Sequence, residues 1–156
     1  MDFETYFQLS KLYTDYAAAV DAKDWNSWVE FFEEDCTYKV QPRENYERGF
    51  PLATMNFISQ GMLKDRAYGI QETLFHDPYY QRHVVSAPRV LSFENGIIES
   101  EANYAVFRTK YNGESTVFNV GRYLDRISVG PSGLKIQSRL CIYDSEMIPN
   151  SIIYPI

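Results

Sequence analysis

Residues 97–128, IIESEANYAVFRTKYNGESTVFNVGRYLDRIS, decide the fold of this chain because apolar and polar side chains alternate over most of their length. A period of two places successive side chains on opposite faces of a β-strand. Asn112-Gly113 divides the stretch, and this pair readily adopts the positive φ angles of a tight hairpin turn. The sequence therefore predicts two long antiparallel strands, over residues 97–111 and 115–128.

Two further runs of the same kind flank this hairpin, over residues 81–93 and 134–144. Asn95-Gly96 predicts a second tight turn, and residues 130–133, GPSG, predict a longer connection. Together the four runs predict an antiparallel meander. In the last run we expect Leu134, Ile136, Ser138, Leu140 and Ile142 on one face, and Lys135, Gln137, Arg139, Cys141 and Tyr143 on the outer face.

The first half of the chain has a helical period instead. Residues 4–21 place an apolar stripe on one helical face, and Asp24 can cap a second helix that ends near Glu34. Residues 35–41 predict a short strand, and the polar ENYERG stretch that follows predicts a loop or a weak strand. A third helix is expected over residues 59–73, where apolar side chains recur at helical spacing.

Three helices followed by a long meander predict an α+β architecture in which the sheet curves around the helices to bury its apolar face. This arrangement resembles the cone-shaped fold of the nuclear-transport-factor-2 (NTF2) or ketosteroid-isomerase type, which we therefore expect. At 156 residues, with 45% hydrophobic and 16% aromatic side chains, the chain can form one packed core. Residues 1–156 are therefore expected to form a single domain.

The charge pattern excludes several classes of function. Fifteen Lys and Arg against twenty-one Asp and Glu give a formal net charge of -6, and the basic residues are too scattered to hold a phosphate backbone. No window approaches the roughly eighteen apolar residues of a membrane span, and the acidic N-terminus lacks the pattern of a secretory signal. We expect a cytoplasmic protein that binds neither nucleic acid nor membrane, with Cys36 and Cys141 as buried thiols.

The spacing of possible ligands gives no support for a metal site. A Rieske [2Fe–2S] centre needs each Cys close to a His in a short loop, and neither Cys of this chain has such a neighbour. His76 and His83, with Asp77 or Asp65, could form a two-His, one-carboxylate iron site, but they share no helical face from which to converge. Nucleotide-binding and hydrolase motifs are also missing from the sequence. We therefore predict no catalytic and no metal-binding residue.

Cone-shaped folds can host acid–base catalysis in their interior, where the candidates are Tyr13, Tyr16, Asp21, Tyr38 and His83. The segments DAKDW, from residue 21, and RHVV, from residue 82, resemble part of a scytalone-dehydratase-like pattern. That pattern requires a second His on the following strand, and residues 97–111 contain none. Asp21 could equally bind backbone where the first two helices meet. A free-standing dehydratase or isomerase and a small-ligand-binding module are the alternative functions.

Several segments in a fixed order carry a resemblance that covers nearly the whole chain. They are YTDYAAAVDAKDWNSWVEFF, DCTYKVQPREN, MLKDRAYGI, YYQRHVVSAPRVLS, NYAVFRTKYNGESTVFNVGRYLDRI and RLCIYDSEMIPNSIIYPI. This ordered set resembles the small, or beta, subunit of the Rieske-type aromatic-ring-hydroxylating oxygenases. Within this family the chain looks most similar to small subunits of salicylate 5-hydroxylase, and small subunits of anthranilate and terephthalate oxygenases are neighbouring possibilities.

The resemblance implies a non-catalytic subunit of an NADH-dependent aromatic-ring hydroxylase. The large, or alpha, subunit would carry a Rieske [2Fe–2S] cluster and a mononuclear non-haem Fe(II), and would receive electrons through a reductase and a ferredoxin. Three large and three small subunits would form an α₃β₃ hexamer. The complex would hydroxylate an aromatic acid, such as salicylate to gentisate.

Residues 139–156 fit such an assembly because they stay apolar to the end of the chain. An exposed apolar segment is costly unless its own domain or another subunit covers it. Tyr and Arg are also enriched at subunit interfaces. We therefore expect subunit contacts at Arg108, Arg122, Arg139, Tyr143, Met147, Ile148, Pro149, Ile152, Tyr154 and Ile156.

Overall fold

Helices are concentrated in the first half of the chain and long strands in the second, as the change of period predicts. The computed structural model describes residues 1–148 and 151–156. The helices are α1 (Phe3–Asp21), α2 (Trp25–Glu30), α3 (Arg43–Glu47) and α4 (Gln60–Tyr68), and a π-helical turn, Gly69–Thr73, follows α4. The strands are β1 (Phe32–Pro42), β2 (Met55–Phe57), β3 (Tyr79–Val85), β4 (Arg89–Glu94), β5 (Ile97–Lys110), β6 (Ser115–Gly130) and β7 (Gly133–Tyr143).

Side-chain caps fix where three of the helices begin. The side chains of Asp2, Asp24 and Ser59 each accept a hydrogen bond from the main-chain N–H three residues further on, at 2.8, 3.1 and 3.3 Å. The first and third predicted helices are confirmed by α1 and by α4 with its π-helical turn. The second is shorter than predicted because β1 already begins at Phe32.

The polar stretch after β1 forms α3, where a loop or a weak strand was predicted. Two ion pairs at helical spacing favour this turn: Arg43 contacts Glu47 at 2.8 Å, and Arg48 contacts Glu44 at 3.3 Å. The helix returns the chain to β2, which pairs with β1 in antiparallel fashion. The sequence did not predict this short strand.

The strand predicted over residues 81–93 is two strands, β3 and β4, which both pair with β5. Pro88 lies between them and has no N–H to continue the ladder. The two predicted Asn-Gly turns are confirmed, with positive φ angles of 51° at Asn95, 74° at Gly96 and 63° at Asn112.

The strands form a curved sheet in the order β2-β1-β7-β6-β5-β3, with β4 added to β5. All pairs are antiparallel except β1 and β7, which run parallel. Residue Trp28 of α2, Leu9 of α1 and Leu63 of α4 are fully buried against the sheet in one hydrophobic core. Within the described residues, no helix is long and apolar enough to cross a membrane.

A bulge in β7 reverses the alternation of its side chains. Arg126 of β6 pairs with Ser138, but the next residue, Ile127, pairs with Ile136, so Gln137 is the extra residue. One extra residue moves every later side chain to the opposite face. The prediction that Arg139, Cys141 and Tyr143 lie on the outer face is therefore wrong. All three are buried in the interior.

Candidate functional site

A buried carboxylate–imidazole pair joins the end of α1 to β3. Asp21 accepts a hydrogen bond from Nδ1 of His83 at 2.6 Å and another from the main-chain N–H of His83 at 2.9 Å. The side chains of Asp21 and His83 are 8% and 0% exposed. A carboxylate only accepts, so Nδ1 carries the proton. Nε2 is buried and has no hydrogen-bond partner among the described residues.

Of the five interior residues considered for acid–base catalysis, Asp21 and His83 form a direct hydrogen bond with each other. Tyr13 instead shares a hydrogen bond of 3.1 Å with Ser100. The hydroxyl groups of Tyr16 and Tyr38 donate to the main-chain oxygen of Ile156 at 2.8 and 3.1 Å. Burial raises the pKa of all three phenols, so they remain protonated and serve as core residues.

A buried ion pair lies on the neighbouring strands β6 and β7. Nε and Nη2 of Arg139 donate to the two oxygens of Asp125 at 3.0 and 2.7 Å, and neither side chain is exposed. The guanidinium carbon lies 5.0, 4.1 and 4.3 Å from the ring centroids of Tyr13, Tyr16 and Tyr123. Although burial opposes the charge, Asp125 holds the pKa of Arg139 above its ordinary value. Arg139 therefore stabilises the core, and its prediction as a subunit contact is wrong.

Residues 151–156, which we call the tail segment, lie between the helices and the concave face of the sheet. Nη2 of Arg66 in α4 donates to the main-chain oxygens of Ile153 and Ile152 at 2.7 and 3.2 Å. Nε2 of Gln81 in β3 donates to that of Pro155 at 3.3 Å. The tail segment has no regular secondary structure, so these side chains satisfy its main-chain groups.

The tail segment covers its own domain, which corrects part of the predicted subunit contact. Ile152, Tyr154 and Ile156 are at most 4% exposed, and Tyr143 is equally buried. Before it, Met147 is 86% exposed and Ile148 is half-buried, and these two remain predicted contacts. Pro149 lies outside the described residues. Arg108 and Arg122 are half-buried, beside the rings of Phe118 and Tyr46, and also remain predictions.

Sequence reasoning missed the roles of several polar core residues. Arg66 was not among the predicted site residues, but the structure turns its side chain to the tail segment. Its position within the apolar stripe of a helix was an available signal, because a charged side chain there needs a buried partner. Asp125 and Asn119 gave no comparable signal, because the bulges in the ladders that β6 forms with β5 and β7 are invisible in the sequence.

The two histidines and Asp77, which were considered as metal ligands, have separate partners. His76 contacts the hydroxyl of Tyr154 at 2.8 Å, and Asp77 pairs with Lys110 at 2.7 Å. Over residues 1–148 and 151–156, no group of three or more His, Cys, Asp and Glu side chains is placed to hold a metal ion. Cys36 and Cys141 are buried free thiols, as predicted.

The convex face of the sheet carries an apolar depression of about 280 Å³, which we call the outer groove. Leu124 of β6 and Leu140 of β7 lie opposite each other in its floor. Leu91, at the bulge in β4, lines one side and is 48% exposed. Glu99 and Arg126, 2.8 Å apart, form part of its rim. An apolar centre inside a charged rim is typical of a protein–protein contact.

These features define an NTF2-like protein whose interior is packed with its own side chains and whose convex sheet face offers an apolar surface. A model of the ring hydroxylating beta subunit family matches residues 16–150. The chain therefore belongs to this family and is the small subunit of a multicomponent aromatic-ring-hydroxylating dioxygenase.

Individual relatives agree with this assignment. The chain is 32% identical to the anthranilate 1,2-dioxygenase small subunit of Burkholderia cepacia, over 99% of this chain and 96% of that one. It is 28% identical to beta subunit 1 of the terminal oxygenase component of terephthalate 1,2-dioxygenase from Comamonas sp., over 96% and 97% of the two chains. A crystal structure from Novosphingobium aromaticivorans DSM 12444, described as an aromatic-ring-hydroxylating dioxygenase beta subunit, superposes with a TM-score of 0.87. That chain is 31% identical, and the match covers 95% of this chain and 94% of that one.

Proposed function

We propose that this chain acts as a structural subunit that supports a catalytic large subunit, and that residues 1–156 work as a single domain. The observation that carries this proposal is the outer groove, whose apolar floor of Leu124 and Leu140 stays only half-buried among the described residues. Exposed apolar surface of this kind is stabilised by a partner. The assembled complex is proposed to be cytoplasmic.

The iron chemistry is assigned to the large subunit. A Rieske cluster needs two thiolates and two imidazoles, and a mononuclear site needs two imidazoles and a carboxylate. The two histidines of this chain, His76 and His83, are held by Tyr154 and Asp21 on different elements. The donor set of the described residues does not fit either group. We therefore place both the cluster and the Fe(II) in the large subunit, which receives electrons from NADH through a reductase and a ferredoxin.

The proposed substrate of the complex is an aromatic acid, with salicylate converted to gentisate as the specific reaction. Two relatives are named for anthranilate and terephthalate, which are aromatic carboxylic acids like salicylate. Among these three acids we favour salicylate, because the sequence motifs of this chain resemble those of salicylate 5-hydroxylase small subunits. The residues that choose between these acids are expected in the large subunit.

The subunit contacts are proposed to combine the outer groove with the segment around Met147. Met147 and Ile148 follow β7, which ends at Tyr143, and they precede the tail segment, which Arg66 holds. Ordered neighbours in the chain reduce the entropy that these two side chains lose when a partner covers them. Arg108 and Arg122 are proposed to contribute polar contacts. We propose three large and three small subunits in the assembly.

Charged substitutions on this surface test the assembly. We expect Leu91→Glu and Met147→Glu each to weaken association with the large subunit at least tenfold, because burial of a carboxylate without a partner is costly. Both side chains are exposed in the isolated chain, so its unfolding transition should hardly change. The measurement is light scattering during size-exclusion chromatography of the co-expressed subunits.

Phe3→Glu is the matched control. Phe3 is also apolar and 81% exposed, but it lies on α1, on the opposite side of the sheet from the outer groove. We expect this variant to assemble normally. If Leu91→Glu and Met147→Glu both assemble with unchanged affinity, the proposed contact surface is wrong.

The substrate is tested with the assembled complex. The large and small subunits, a ferredoxin, a reductase and NADH are combined with salicylate, anthranilate or terephthalate, and the products are identified by mass spectrometry. We expect gentisate from salicylate and no iron in the separated small subunit. Hydroxylation of only another aromatic acid would reject the proposed substrate, whereas turnover by the small subunit alone would reject its structural role.

A further inference from the structure

Six buried side-chain atoms have no hydrogen-bond partner among the described residues. Three of them belong to polar side chains of β3 and β6: Nε2 of His83, Oε1 of Gln81 and Nδ2 of Asn119. The others are the hydroxyl groups of Tyr79 and Tyr123 and Nη1 of Arg139. His83, Gln81 and Asn119 are 8%, 2% and 0% exposed. A buried polar group without a hydrogen-bond partner destabilises the fold, so these three atoms require an explanation.

The register of the strands brings the three side chains to one area. Gln81 and His83 are two residues apart on β3, so their side chains lie on the same face, about 7 Å apart at their Cα atoms. His83 pairs with Val106 of β5, which in turn pairs with Asn119 of β6. His83 and Asn119 therefore flank Val106 from strands two spacings apart, about 10 Å between Cα atoms.

Other hydrogen bonds fix the direction of each side chain. Nδ1 of His83 is held by Asp21, and Nε2 of Gln81 donates to Pro155. Oδ1 of Asn119 accepts a hydrogen bond of 2.8 Å from the hydroxyl of Tyr104, which places its amide nitrogen on the other side. The unpaired atoms are thus the free ends of side chains whose other ends are anchored.

We propose that this region is a binding site for one buried water molecule, which bridges His83 and Asn119 and extends to Gln81. Oε1 of Gln81 can only accept a hydrogen bond and Nδ2 of Asn119 can only donate. Nε2 of His83 accepts when the imidazole is neutral and donates when it is charged. A water molecule offers two donors and two acceptors, so it satisfies all three atoms in either state of His83.

The same chemistry excludes simple ions as the occupant. A metal cation or ammonium cannot accept a hydrogen bond from the amide of Asn119. A halide cannot donate to Gln81. A buried water molecule with three polar partners has the number of hydrogen bonds that such waters usually make. Because Asp21 orients the imidazole, the water is held at a defined position in the interior rather than in a loose cavity.

A high-resolution crystal structure and an NMR measurement on the full chain test this inference. We expect one density peak within about 3.2 Å of both Nε2 of His83 and Nδ2 of Asn119. In solution, the ring protons of His83 should show a nuclear Overhauser contact with a long-lived water molecule. The inference is overturned if the peak is missing, or if a protein group bonds Nε2 directly.

Two substitutions of buried glutamines keep the test independent of stability. Gln81→Met removes one partner of the proposed water, and we expect the contact between water and His83 to weaken at least severalfold. Gln41→Met is the matched control, because Gln41 is 3% exposed but binds the carbonyls of Phe50 and Leu52 on the other side of the sheet. Equal effects of the two variants on the His83 contact would contradict the proposed site.

Discussion

Arg139 and Asp125 bury opposite charges in the core, where an unpaired charge is costly. Replacement of Arg139 by Met removes the guanidinium and leaves the carboxylate of Asp125 buried without its partner. The three tyrosine rings around the guanidinium also lose their cation contact. We therefore expect Arg139→Met to lower the free energy of unfolding by about 3–5 kcal/mol, measured by urea denaturation.

A surface pair on the same sheet provides the control for that prediction. Arg126 pairs with Glu99 but is 52% exposed, so Arg126→Met should cost about 1 kcal/mol or less. The double variant Arg139→Met/Asp125→Leu should recover much of the lost stability, because no buried charge remains. A double variant as unstable as Arg139→Met alone would show that the pair matters for packing rather than for charge.

Replacement of glycine by alanine should destabilise the fold at one position and stabilise it at another. At Gly121 in β6, an added Cβ would lie 2.0 Å from the main-chain oxygen of Ile142, so Gly121→Ala must displace the backbone of β7. We expect a loss of about 1–3 kcal/mol or more. At Gly61 in α4 the nearest atom would be 3.6 Å away, and Gly61→Ala should stabilise by about 0.5 kcal/mol. Thermal unfolding of both variants checks the prediction, and equal shifts would contradict it.

For individual residues, burial of apolar side chains was easier to predict from the sequence than the direction in which polar side chains point. The burial and hydrogen bonding of Asp21 and His83 could be expected from their types and setting. The inward direction of Arg139 could not, because it depends on the bulge at Gln137, which no residue type announces. Arg66 shows the same limit, since its partner is a main chain almost ninety residues away.

The tail segment depends on Arg66, which donates to the carbonyls of Ile152 and Ile153. Hydrogen bonds from a charged donor contribute about 1.5–3 kcal/mol each. In Arg66→Met we expect the main-chain amide of Ile156, which now donates to Tyr38, to exchange with solvent about ten- to a hundredfold faster. Hydrogen–deuterium exchange measures this directly.

Lys64→Met is the control for the tail segment, because Lys64 is exposed on the same helix. It should leave the exchange of the Ile156 amide unchanged. If Arg66→Met also leaves it unchanged, the segment is held by its apolar side chains, and the hydrogen bonds of Arg66 are secondary.

Helices and strands with a clear local sequence pattern could be predicted. Those that depend on pairing with a strand far away in the sequence could not. Helix α1 and strands β5 and β6 follow from their periodicity and from the Asn-Gly turns. Strand β2 is only three residues long and exists because β1 offers it an edge. The parallel pairing of β1 with β7 joins residues about a hundred positions apart, so no local pattern could indicate it.

Buried tyrosines give the whole molecule a defined response to alkali. Burial raises the pKa of Tyr13, Tyr16, Tyr38, Tyr104 and Tyr123 above the ordinary value of 10.0. Above that pH these phenols ionise in the unfolded chain but stay protonated in the folded one, so the unfolded state binds fewer protons. The contribution of these phenols to stability is therefore complete below pH 10 and falls as the pH rises further, by about 1.4 kcal/mol per pH unit for each phenol.

With several phenols acting together, we expect a steep, cooperative alkaline unfolding in which tyrosinate absorbance near 295 nm rises together with the loss of near-ultraviolet circular dichroism. Burial also raises the pKa of the Cys141 thiol to about 12, so this thiol adds to the slope from about pH 9 upward. Tyr38→Phe removes one buried phenol and should make the pH dependence shallower by about 1.4 kcal/mol per pH unit, whatever it does to stability at neutral pH. Gradual ionisation of these tyrosines in a chain that stays folded would mean that hydroxide reaches the interior, and that the concave face of the sheet is not closed by the helices and the tail segment.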